Sequence, residues 1–187
     1  MEINLTYYSD LIDEDNISLI ENKLKQYSIT LSKNDISGRP QMSADDILSQ
    51  TIITITPLLV SGIAINILSN LIYDALKTPI LSIWANLKNK KITKHSANGQ
   101  FEEKETSLGI KFRMNNDSYE MKIPLNLSDE LKETCVTKML SYIIIKAEQE
   151  TKPFDPMLFE NHIVVYNKMT QEWETIGLPE FIQKYIK

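Results

Sequence analysis

Residues 47–73 read ILSQTIITITPLLVSGIAINILSNLIY, and what this run is buried in decides the architecture of the chain. It contains no charged residue. Asp45 and Asp46 stand before it, Asp74 closes it, and Lys88, Lys90, Lys91 and Lys94 follow. Ser43 is placed to cap a helix, with Asp45 and Asp46 in its first turn. Pro57 lacks the amide proton that a helix interior needs and clashes with the preceding turn. The reading is therefore a helix from about residue 44, a break at Pro57 and a second segment from about 58 to 76. The β-branched stretch before Pro57 would also suit a strand. In the second segment Gly62, Asn66, Asn70 and Asp74 recur every four residues, with Ser69 and Tyr73 beside them. Leucine, isoleucine and valine cover the rest of the circumference, so the helix needs burial on most sides. Thr78-Pro79 predicts another break, and Pro79 suits the first turn of a new helix. That helix carries Trp84 and ends in Lys88, Lys90 and Lys91, cations that complement the negative end of its dipole.

Upstream, EINLTYY (residues 2–8) alternates apolar and polar residues as a strand does. Asp13, Glu14 and Asp15 mark a helix start, Ile17, Ile20 and Leu24 form its apolar face, and residues 28–33 alternate again. The chain thus opens with a βαβ unit over 2–33. Downstream, LGIKFRMN and SYEMKIPL flank Asn116-Asp117 as a hairpin. Residues 129–149 form an amphipathic helix with Leu131, Cys135, Val136, Met139, Leu140, Ile143 and Ile144 on one face. HIVVYN and EWETI flank residues 168–171 as a second hairpin, and LPEFIQKYIK is a closing helix. The expected fold is α+β in a single domain over 1–187. It has a mixed or mostly antiparallel sheet, a βαβ start, two hairpins and a central apolar helical region (43–91) packed on one face.

The chemistry is sparse. The five glycines are scattered and build no phosphate loop, and there is no HExxH, nucleophile elbow or CxxC pair. His95 and His162 each stand without a histidine, cysteine or carboxylate at ligand spacing. Cys135 lies on an apolar helix face, where a thiol packs as a small hydrophobe. The expectation is no catalytic residue, no cofactor and no metal. A net charge of −5 opposes a nucleic-acid surface, which needs a basic face. The acidic start does not resemble a secretory signal, and one cysteine fits a reducing compartment, so the expected location is the cytoplasm.

Three settings remain open for the uncharged run: an intramolecular core, an interface with a protein partner or a second copy, and a bilayer. The last would make the chain inner-membrane associated. Length permits a span, whereas Pro57, Ser61, Asn66 and Asn70 are costly against lipid. The candidate interaction residues are Gly62, Asn66, Ser69, Asn70, Tyr73, Trp84, Lys88, Lys90 and Lys91.

Asp45-Asp46, SGIAINILSNLIYDAL (61–76) and LSIWANLKNKK (81–91) carry a resemblance that covers residues 2–125. In this order of elements the chain resembles the effector-associated constant component proteins, small bacterial proteins found beside effector modules in defence or conflict systems. It departs from them in Pro57, Pro79 and the asparagines of the helical region. The resemblance implies an accessory, non-enzymatic role and brings no catalytic residues with it. The expected function is an interaction module of a bacterial defence or signalling system. A small acidic immunity protein that neutralises a toxin is the alternative.

Overall fold

The computed structural model describes residues 2–38, 51–55, 65–95, 101–114, 117–149 and 160–185. The chain opens β1 (Glu2–Tyr7), α1 (Glu14–Lys25), β2 (Thr30–Asp35), β3 (Thr51–Ile55) and α2 (Ile65–Leu87). Next come β4 (Lys91–His95), β5 (Phe101–Glu105), β6 (Leu108–Met114), β7 (Asp117–Ile123) and α3 (Asp129–Gln149). It ends with β8 (Glu160–Asn167), β9 (Glu172–Ile176) and α4 (Leu178–Tyr185). The fold is α+β around a mixed seven-stranded sheet of order β2-β1-β3-β6-β7-β8-β9, with β4 and β5 forming a separate antiparallel ribbon.

The βαβ start is present. β1 and β2 pair in parallel, with α1 between them in sequence. Asp13 caps α1 by accepting the Asn16 amide at 2.8 Å, and Ile17, Ile20 and Leu24 are its buried face. Both expected hairpins form, β6 with β7 and β8 with β9. The amphipathic helix runs over the predicted residues and buries Cys135, Val136, Met139, Leu140 and Ile143.

The central run differs from expectation. Residues 51–55 are a strand, not helix, hydrogen-bonded between β1 (antiparallel) and β6 (parallel). Thr51, Ile53 and Ile55 point into the core. Three isoleucines and two threonines are five β-branched side chains in succession, which a pleated, half-buried strand accommodates better than a helix turn. A single membrane helix over 47–73 is thereby excluded. The expected helix start at 43–46 and the break at Pro57 lie outside the described residues. The expected break at Pro79 does not occur: α2 continues through it to Leu87. The proline removes one helix hydrogen bond, to the Ala75 carbonyl, at a cost of about 3 kcal/mol. Burial of Ala75, Leu76, Ile80, Ile83, Trp84 and Leu87 outweighs that cost. Thr106, just after β5, then closes the end of α2: its hydroxyl donates to the Leu87 carbonyl at 2.7 Å.

Side-chain alternation separates the two faces of the sheet. Ile3 and Leu5, Ile53 and Ile55, Ile110 and Phe112, Tyr119 and Met121, and Val164 and Tyr166 belong to the main core. α2 packs between α1 and α3 in the helical layer of that core. Asn86 of α2 accepts from Asn16 of α1 at 3.1 Å, and Tyr73 of α2 shares a hydrogen bond of 3.1 Å with Thr137 of α3. α4 packs instead on Val165 and Ile176 through Phe181, a small second cluster. Val165 alternates with Val164 and Tyr166, which places α4 on the opposite face.

Asp35 clasps the C-terminal end of β2 to the loop after β1. Its carboxylate accepts from the Ser37 hydroxyl (2.7 Å), the Ser37 amide (2.9 Å) and the Ser9 amide (3.2 Å). These bonds, Ser37 foremost, hold the carboxyl at about 2, below its ordinary 3.8. A lowered folded-state pKa means stabilisation that is present above the unfolded value and lost as pH falls through the folded one. The wild type is therefore expected to exceed Asp35→Ala in urea midpoint at neutral pH, with the difference vanishing between about pH 4 and about pH 2. Urea titrations of both proteins across that range check this.

Candidate functional site

α2 holds most of the residues that the sequence singles out. Positions 66, 70, 74 and 78 lie along one line of a continuous helix, and Asp74 and Thr78 face solvent. Asp74 and Thr78 thus lie on the outward side of α2, away from the packed positions 75, 76, 79, 80, 83, 84 and 87. Ser69 and Tyr73 flank that line. Tyr73 is half-buried against α3, and the Lys77 ammonium lies 5.7 Å from its ring centroid. Gly62 lies outside the described residues. Trp84 is fully buried in the main core, with Lys132 5.8 Å from its ring centroid. It thus contributes packing within this chain.

The three lysines do not make a common patch, because each reaches a different group. Lys88 pairs with Asp129 at the start of α3 (3.1 Å). Lys90 donates to the Leu11 carbonyl (2.6 Å), and Lys91 pairs with Glu103 of β5 (2.9 Å). Exposed pairs of this kind contribute little individually, but together they join α2 and β4 to three neighbouring segments.

A second constellation was not legible as one in the sequence. β7 and β8 run parallel, with Asp117 opposite Glu160 and Tyr119 opposite His162. Alternation turns all four side chains to the same face, at the end where both strands begin. His162 Nε2 lies 3.2 Å from Asp117 Oδ1 and 3.8 Å from Glu160 Oε2. The imidazole stacks on Tyr119 at 4.8 Å between centroids, and Tyr119 stacks on Phe112 at the same distance. A ladder of three rings across β6, β7 and β8 thus sets the orientation of His162. The Tyr119 hydroxyl donates to Asp117 Oδ2 at 3.4 Å. Two readings hid the cluster: Asp117 read as a turn residue but is the first residue of β7, and β8 begins two residues earlier than HIVVYN suggested. The available signal was Glu160-x-His162, since two donors separated by one residue share a strand face.

On the reverse face a shallow cavity of about 260 Å³ is lined by Lys111, Ser118, Glu120, Lys122, Asn161 and Ile163, with His162 at its edge. Its charges are of mixed sign. Cys135 is buried, and burial pushes its thiol up to about 12, so thiolate chemistry is shut off there. Among the described residues, no helix is long and apolar enough to cross a membrane.

The described residues form an α+β protein with a mixed seven-stranded sheet and a histidine-carboxylate cluster at the start of β7 and β8. Compared with protein families, curated proteins and solved structures, the chain finds no match in any of the three.

Proposed function

We propose that the chain is a non-enzymatic interaction module that docks a second protein surface through the outward side of α2. The observation that carries this reading is the composition of that side. From Ile65 to Tyr73 the sequence of α2 has no charged residue, and positions 67 and 70 stand seven and four residues before the exposed Asp74 in the same helix. The outward faces of the neighbouring helices are of the ordinary kind: exposed Glu14, Asp15 and Lys25 on α1, and Glu130, Glu133 and Glu148 on α3. Asparagine and serine with an isoleucine allow close helix approach and amide hydrogen bonding without the desolvation cost of a charge.

The resemblance to effector-associated accessory proteins supports the same class of role, as a component of a bacterial defence or signalling system. The single buried cysteine supports a cytoplasmic setting. The occupant to test first is a second copy of the chain. Light scattering is expected to show a mass that rises from monomer to dimer with concentration. Asn66→Trp is expected to shift the equilibrium to monomer while changing the monomer's unfolding free energy by no more than about 0.5 kcal/mol, the usual range for a surface substitution. Equal masses for wild type and variant at every concentration would overturn this form of the reading.

A further inference from the structure

We infer that Asp117, Glu160 and His162 form a binding site for one divalent first-row transition ion, Zn2+ being the ion the donors fit best. The inference is independent of the interaction reading. The three donor atoms lie within 4.8 Å of one another. A tetrahedral ion bound through nitrogen and oxygen at about 2.0–2.1 Å sets its donors about 3.3 Å apart. The His162–Asp117 separation of 3.2 Å already meets that spacing, and the His162–Glu160 separation of 3.8 Å exceeds it by about half an ångström. Glu160 is the donor that can close the difference: its side chain is 73% exposed, against 24% for His162 and 27% for Asp117. Two donors are held and the third is free to swing in, which leaves an open approach for the ion and a fourth position for water.

The surroundings favour a cation. Two carboxylates meet one imidazole, and among the described residues no lysine or arginine pairs with either carboxylate. A neutral imidazole leaves both charges uncompensated, whereas a dication offsets them. Lys146, the nearby cation, sits over the rings of Tyr119 and Tyr142, 5.8 and 5.5 Å from their centroids. Outer-shell support is in place as well. The Tyr119 hydroxyl holds the second oxygen of Asp117, and the Phe112–Tyr119 stack fixes the imidazole plane. An imidazole with two carboxylates selects zinc, manganese or iron over calcium and magnesium, which prefer all-oxygen shells.

The test is calorimetric titration of the EDTA-treated full chain with Zn2+, with thermal unfolding measured alongside. Uptake of one Zn2+ per chain and a Zn2+-dependent rise in unfolding midpoint are expected. His162→Gln, Asp117→Asn and Glu160→Gln are each expected to lose the midpoint rise and to weaken binding by at least about tenfold, and Tyr119→Phe by about tenfold through the outer shell. His95→Gln, which removes the only other imidazole, is expected to bind as wild type. Glu160 is exposed, so its variant keeps the test valid should His162→Gln misfold. Three results would each overturn the inference: no stoichiometric uptake, unchanged binding by both Glu160→Gln and His162→Gln, or displacement of Zn2+ by equimolar Mg2+ or Ca2+.

Discussion

Trp84→Ala is expected to destabilise the protein by about 3–5 kcal/mol, the range for removing a large buried aromatic side chain. Set against a typical total of about 5–15 kcal/mol, this brings the variant close to unfolding. Trp84 is fully buried, one turn before the end of α2, in the layer where α2 meets α3. A cavity there touches Ile80, Ile83 and Leu87 on the same helix face, and the packed neighbours can close it only in part. The indole nitrogen refines the prediction. Trp84 Nε1 is buried and meets no acceptor among the described residues, and an unmet buried donor costs about 1–3 kcal/mol. Trp84→Phe deletes that donor along with one ring, so its net cost is expected to stay within about 1 kcal/mol as the two effects offset. Trp173 is the contrast. Its Nε1 donates to the Cys135 carbonyl at 3.0 Å, so Trp173→Phe loses packing and a hydrogen bond together and is expected to cost more than Trp84→Phe. Urea unfolding of the three variants, followed by circular dichroism, ranks them directly.

The parts of this fold that the sequence announces are those in which local and tertiary demands agree. α1 has an aspartate cap, acids at its start, lysines at its end and a clean apolar face. β1, β6 and β7 alternate because only one side of each meets the core. α3 follows helical spacing throughout. The central run is less legible because β3 and the first part of α2, residues 65–73, are both apolar and both uncharged. Composition then ceases to distinguish a five-residue strand from the helix that follows it. Pro79 misleads for a different reason. Proline opposes a helix locally, but tertiary burial on both sides of it carries the helix through. The histidine-carboxylate cluster is invisible to spacing because Asp117 and His162 stand 45 residues apart. They meet only because β7 and β8 pair in parallel, in a register that no local pattern encodes. The lysines show the converse: clustered in sequence, they diverge in space.

Alanine substitution along β3 is expected to show a period of two: Ile53→Ala and Ile55→Ala cost about 2–5 kcal/mol each, and Ile52→Ala about 1 kcal/mol or less. Ile53 stands between Leu5 of β1 and Ile110 of β6 in the pairing register, and all three are buried. Ile52 points to the other face and is only partly covered. A helix over these residues would place the costs three or four positions apart, so the pattern separates the two structures without reference to any function. The position of β3 makes the consequence larger than one cavity. In the strand order it is the one element joining the β2-β1 pair to the β6-β9 block. Ile53→Asp places a charge in that seam with no partner, and a buried unpaired charge costs more than the seam can absorb. The loss should therefore spread to both sides of the sheet. A Trp84→Phe background leaves Trp173 on β9 as the sole indole reporter, four strands away from the mutation. In that background Ile53→Ala is expected to move the Trp173 fluorescence midpoint and the far-ultraviolet midpoint together. If Trp173 kept its parent midpoint while the circular dichroism midpoint fell, β6 to β9 would be a separate cooperative unit and β3 would not be the seam.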